Sequence, residues 1–160
     1  MSIAVGDRIP DVELWKVEGD AFSGVRSADV LGKGKVVLFA VPGAFTPTCS
    51  DYHLPGFVIR ADEIGAKGVD TIACISVNDP FVMGAWARDQ KVADSVVMLA
   101  DGNGQFTKAL GLEMDGSAVG LGVRSQRYAA VIEDGVVTAL FVEPERGLTV
   151  SSAESVLAAL

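Results

Sequence analysis

The chain has 160 residues, 49% hydrophobic and 21% charged, with a formal net charge of -8 at pH 7. That is enough chain to bury a core without metal or disulfide staples, so a single domain over residues 1–160 is expected. The acidic balance argues against nucleic acid and anionic membrane surfaces as partners, and apolar runs such as Val36 to Pro42 fall far short of the roughly 20 residues a membrane helix needs.

From the start, Val12-Glu13-Leu14-Trp15-Lys16-Val17 alternates enough for a strand, and Gly19-Asp20 and Gly32-Lys33-Gly34 mark turns around a short, weakly periodic piece. Val36 to Val41 is a nearly unbroken apolar run, the pattern of a central strand covered on both faces. A helix is expected from about Thr48 to Ala66, kinked or broken at Pro55-Gly56, because proline removes a hydrogen bond and clashes with the preceding turn.

Val69 to Val77 reads as a second buried strand. Asp79 and Pro80 have the residue types of an N-cap and first helical position, opening a helix to about Gln90. Ser95 to Ala100 is a third strand, followed by a short helix from Gln105 to Leu110 and a glycine-rich loop from Gly111 to Gly122. Arg127–Ile132 and Val136–Val142 flank Glu133-Asp134-Gly135 as a β-hairpin. Ser151 to Glu154 has capping-box spacing and opens a last helix to Leu160. The order βαβαβαββα predicts an α/β fold, with a central mixed sheet flanked by helices.

The stretch that carries chemistry is Val41-Pro42-Gly43-Ala44-Phe45-Thr46-Pro47-Thr48-Cys49-Ser50. A buried strand feeds a loop that delivers one cysteine to a helix start. Unpaired N–H groups and the positive dipole end there favour a negatively charged sulfur, and the thiolate is the nucleophilic form of cysteine. A free cysteine is most often a small buried hydrophobe, but polar Thr46, Thr48, Ser50 and Asp51 around Cys49 favour a reactive role. Cys74, inside Ile72-Ala73-Cys74-Ile75, is expected to be buried and inert. His53 lies four residues after Cys49, hence on the same helix face, and a rim or packing role is expected for it. The two cysteines and one histidine do not make a disulfide framework or a structural zinc site. No metal, flavin or nucleotide motif is visible, and no bound cofactor is expected. With no basic region and apolar stretch at the start, a reducing, cytoplasmic setting is expected.

The pattern Pro-x-x-x-Thr-x-x-Cys, here Pro42, Thr46 and Cys49, resembles the peroxiredoxin active-site motif. PGAFTPTCS followed by HLPGF is similar to the type II branch that includes the peroxiredoxin-5 subfamily, and the likeness continues to TVSSAESVLAAL at residues 149–160. The resemblance implies a thioredoxin-like fold and reduction of hydrogen peroxide and organic hydroperoxides, with an antioxidant role. By position, Cys49 becomes the peroxidatic cysteine, Thr46 a hydrogen-bonding partner of thiolate and peroxide, and Pro42 a shield against water. Arg127 is on spacing alone a strand-edge charge; the resemblance makes it the arginine that orients the peroxide. Arg124 and Arg88 are ordinary surface arginines by the same reading, although a second arginine could buttress Arg127.

Some branch members carry a cysteine where Cys74 stands, a possible resolving partner. Others place one near the C-terminus, in a stretch where this chain continues Gly147-Leu148-Thr149 with Val150. That departure implies a one-cysteine cycle served by glutathione or glutaredoxin. The branch also implies a homodimer through the active-site side. Two further readings remain. A thioredoxin-like disulfide reductase typically uses Cys-x-x-Cys, and here only Cys49 stands in the motif. A redox sensor or holdase on the same fold would need a single oxidation rather than turnover.

Overall fold

The structure, a computed structural model, describes residues 2–160. Strands β1 (Glu13–Glu18) and β2 (Ala21–Arg26) form a hairpin, and a helical turn α1 (Ser27–Val30) leads to β3 (Lys35–Ala40). A π-helical turn (Cys49–His53) runs into α2 (Leu54–Ile59) and α3 (Ala61–Ala66). Then come β4 (Thr71–Ser76), α4 (Pro80–Asp89), β5 (Val97–Ala100) and α5 (Gln105–Leu110). A small pair, β6 (Glu113–Asp115) and β7 (Val123–Ser125), precedes β8 (Tyr128–Glu133), β9 (Val136–Val142) and α6 (Ala153–Ala159).

Among the described residues the main sheet has seven strands in the order β2-β1-β5-β4-β3-β8-β9. β3, β4 and β5 are parallel at its centre, and antiparallel strands flank them on both sides. The period of two along β3 divides the core. Val36, Leu38 and Ala40 face a layer with Leu31, Leu99, Phe106 and Leu110. Val37 and Phe39 face a second layer with Phe57, Ile64, Trp86 and Val156 from α2, α3, α4 and α6. Strands covered on both faces read as continuous apolar runs, which is why the three central ones were visible in the sequence. The expected central mixed sheet flanked by helices is the architecture found.

Four local expectations are corrected. The weakly periodic piece after Val17 contains β2, an edge strand exposed along most of its length, which therefore lacks the apolar alternation of a half-buried strand. The helix expected over 48–66 is three pieces: the π turn passes into α2 just before Pro55, and a second, unexpected break lies at Arg60 (φ -99°, ψ 11°). Pro55 is accommodated in the first turn of α2, behind the π turn, whose Leu54 N–H reaches five residues back to Cys49 O. The glycine-rich loop over 111–122 contains β6 and a 3-10 turn (Ser117–Val119) before β7 pairs with β6. The last helix is capped by Ser152, which accepts from Ser155 N–H, so Ser151 is left for another task.

Candidate active site

The site forms beyond the carboxyl ends of β3 and β4. Val41 N–H bonds to Ile75 O at 3.1 Å, extending the strand pairing one residue into the loop. Ser76 donates to Asn78 Oδ1 at 2.6 Å, and that oxygen accepts Ala44 N–H at 3.0 Å, pinning the loop to the neighbouring strand's exit. Phe45 then takes a left-handed backbone (φ 65°), a conformation that costs a non-glycine residue about 1–3 kcal/mol and persists only where the surroundings enforce it. Thr46 donates its hydroxyl to Gly43 O at 2.7 Å, and its own carbonyl accepts Ser50 N–H at 2.9 Å. The helical backbone starts at Pro47, so Cys49 sits in the first turn, fully buried. Trp86 Nε1 on α4 donates to Ser50 Oγ at 2.9 Å and ties that turn to the core.

Arg127, just before β8, reaches this turn from the far end of the chain. Its NH2 donates to Cys49 Sγ at 3.1 Å and its NH1 to His53 Nδ1 at 2.8 Å. His53 Nε2 lies 2.9 Å from Ser151 O. A carbonyl can only accept, so Nε2 carries the imidazole proton and Nδ1 is free to accept from the guanidinium. The ring packs against Phe39 and Phe57, with centroids 5.0 Å and 5.6 Å away. This burial, followed by the charge of Arg127, lowers the His53 pKa from 6.5 to about 3. The imidazole is therefore neutral at working pH and free to accept from the guanidinium.

His53 is thus no rim residue. It is 1% exposed and packed against Phe39 and Phe57, so the packing half of the expected role holds and the rim half is corrected. The four-residue spacing from Cys49 was the available signal, but its partners Arg127 and Ser151 come from distant segments. Glu143 was missed altogether. Its Oε1 accepts Thr149 Oγ1 at 2.6 Å, and its Oε2 accepts Thr149 N–H, Ser151 N–H and Ser151 Oγ at 2.9, 2.8 and 2.6 Å. Burial pushes this carboxyl up, but the bonds from Ser151 and Thr149 outweigh it and bring the pKa down to about 2.

A cleft of about 550 Å³ opens over Arg127, with Pro42, Thr46, Met114, Leu121 and Pro144 in its walls. Cys49 lies behind that wall, next to Arg127. Cys74 is buried beside Phe39 in the β3–β4 pairing, in the same core layer as Cys49. Burial, and then the charge of Cys49, hold the Cys74 thiol well above its ordinary range. Arg124 donates Nε to Leu121 O and lays its NH1 3.0 Å from where a Cβ on Gly43 would stand, so it borders the loop. Arg88 pairs with Asp20 on the exposed surface and is no part of the site. Among the described residues no group of His, Cys, Asp and Glu could hold a metal ion.

Residues 4–157 match the Redoxin family model. The chain is 54% identical to Peroxiredoxin-2E, chloroplastic, of Arabidopsis thaliana, over 99% of this chain and 70% of the relative. It superposes with a TM-score of 0.93 on reduced Prx3 from Vibrio vulnificus in complex with hydrogen peroxide, at 52% identity and 98% coverage of both chains. A Burkholderia cenocepacia structure described as a thioredoxin reductase gives a TM-score of 0.97 at 49% identity, covering 100% of this chain and 99% of that one. These likenesses establish the thioredoxin-like fold.

Proposed function

Since this chain belongs to the type II branch of the peroxiredoxins and is a thiol peroxidase, we propose that Cys49 is its peroxidatic nucleophile. The contact between Arg127 NH2 and Cys49 Sγ, 3.1 Å, carries this reading. The thiolate attacks one oxygen of the hydroperoxide, an S–O bond forms as the O–O bond breaks, and Cys49 becomes a sulfenic acid. The departing oxygen takes a proton and leaves as water or an alcohol. Negative charge moves from sulfur to that oxygen, and the Arg127 guanidinium is placed to stabilise it throughout. Thr46 has spent its hydroxyl proton on Gly43 O, so its free lone pairs accept the O–H of the incoming peroxide. Pro42 shields the pocket. His53 holds Arg127 by a neutral acceptor nitrogen and takes no proton in the step.

Regeneration falls to an external thiol. Glutathione or glutaredoxin attacks the sulfenic acid and releases water, and a second thiol breaks the resulting mixed disulfide. Val150 in place of a C-terminal cysteine and the burial of Cys74 both support a cycle with one working cysteine. The whole chain acts as one domain in a reducing, cytoplasmic setting. Phe45, Tyr52 and Phe81, all more than half exposed on the loop, the π turn and α4, offer an apolar face for a homodimer on the active-site side.

The deciding experiment is steady-state peroxide consumption with glutathione plus glutaredoxin, compared with thioredoxin. Turnover should vanish in Cys49→Ser and persist in Cys74→Ser. Equal or faster turnover with thioredoxin would overturn the choice of reductant, and loss of turnover in Cys74→Ser the one-cysteine cycle.

A further inference from the structure

Cys49, Arg127 and His53 do not complete the hydrogen-bonded chain at the site. The imidazole contributes only if its proton sits on Nε2, a tautomer that the free histidine ring favours only slightly. The selection comes from Ser151 O, 2.9 Å from Nε2. Ser151 in turn is gripped by Glu143, through both its N–H and its hydroxyl, and Thr149 is gripped in the same way. Glu143 N–H also donates to Arg127 O at 3.0 Å, so one residue ties the backbone of Arg127 to the segment that orients His53.

We propose that Glu143 is a positioning residue for the peroxidase reaction, its carboxylate holding residues 149–151 so that the Ser151 carbonyl fixes the His53 tautomer that points Arg127 at Cys49. The proposal rests on the reading of Cys49 as the nucleophile. Without the clamp the carbonyl is free to withdraw, and the buried Nε2–H loses its acceptor. The other tautomer would set an Nδ1–H against the N–H of Arg127, donor against donor. The guanidinium would have to turn away, and Cys49 would lose its only side-chain hydrogen-bond donor among the described residues. Glu143 lines the cleft but is 8% exposed, and its four acceptor bonds are all spent on residues 149–151. Its work is to place other groups.

Two substitutions separate geometry from charge. Glu143→Leu removes every acceptor at similar size. Glu143→Gln removes the charge but keeps one oxygen that can take the Oε2 bonds, while its amide N–H faces a Thr149 hydroxyl able to turn and accept. Peroxide reduction by Glu143→Leu should slow roughly tenfold to a hundredfold, the scale of a misplaced catalytic group, and Glu143→Gln should stay close to wild type. His53 is the only histidine in the chain, so imidazole nitrogen NMR reads its tautomer without ambiguity. The spectrum should show Nε2–H alone in wild type and Glu143→Gln, and lose that pattern in Glu143→Leu. If Glu143→Leu does not fold, the double variant Thr149→Val with Ser151→Ala, which strips both hydroxyl donors from the carboxylate, should move both readouts in the same direction by less. An unchanged rate and imidazole spectrum in Glu143→Leu, or in the double variant in its place, overturns the proposal, as does a Glu143→Gln protein as slow as Glu143→Leu. Failure of wild type to reduce peroxide through Cys49 would instead sink the underlying reading, with the imidazole spectra still deciding what Glu143 does.

Discussion

Arg127 holds the site together because one planar guanidinium serves two partners, with separate nitrogens on Cys49 Sγ and His53 Nδ1. Lysine offers a single ammonium on a flexible stem and cannot satisfy both directions. Arg127→Lys should therefore retain a positive charge yet lose about a hundredfold or more in the rate of peroxide reduction, the scale for one oxyanion donor, measured by stopped-flow against wild type. His53 makes a different prediction. Its folded pKa of about 3 lies below the ordinary 6.5, so the native state binds fewer protons than the unfolded chain between those values. The stabilisation is fully present above pH 6.5 and is lost as pH falls toward 3. NMR titration should find the imidazole neutral from pH 8 to pH 5, and thermal denaturation should show the melting temperature falling as the buffer is acidified below 6.5. At this scale the sequence displayed the local half of the site. Pro42, Thr46 and Cys49 stand within one loop and could be read together, whereas Arg127, Ser151 and Glu143 join it only through tertiary contacts. Arg127 was legible through family resemblance, and Glu143 had no pattern to mark it.

Among the elements, the π turn is the least ordinary. Its wide ring precedes Pro55, which has no N–H to offer the preceding turn, and it carries Cys49 at one end and His53 at the other. What steadies it is α4: Trp86, fully buried, donates its indole N–H to Ser50. Ser50→Ala should leave that N–H without its partner and cost about 1 kcal/mol or somewhat more, read as a shift in the urea midpoint with an unchanged slope. Element positions were legible where burial imposed a period. β3, β4 and α4 announced themselves through apolar runs and the Asp79-Pro80 start, and Asp79 does accept Val82 N–H as an N-cap. β2, β6 and β7 lie at exposed or short pairings where the partner strand, not the sequence, decides the conformation. The shift of the last cap from Ser151 to Ser152 has the same cause. Ser151 has the side chain for a cap, but Glu143 binds it first.

For the whole molecule, the two core layers on either side of the sheet explain how so small a site can be held rigidly. The layer that contains Phe39, Phe57 and Trp86 also contains Cys49 and Cys74, so the sulfur proposed as nucleophile is set in the packed interior rather than displayed on the surface. That placement has a kinetic meaning. Both reactants must touch a sulfur that has no exposed area, and Cys49 lies behind the wall of the Arg127 cleft, so a peroxide of a few atoms needs a far smaller displacement than glutathione or a protein thiol. On the proposed function, oxidant would be admitted by size and reductant by motion. The oxidising half of the cycle should then have the shallow temperature dependence of chemistry in a preformed pocket, and the reducing half the steep one of a local opening. Stopped-flow rates for each half, taken across a range of temperatures, should diverge on cooling; parallel slopes would mean that the turn need not open. Divergent slopes would make the redox state of Cys49 follow temperature, with the oxidised form gathering as the temperature drops although the peroxide supply is constant.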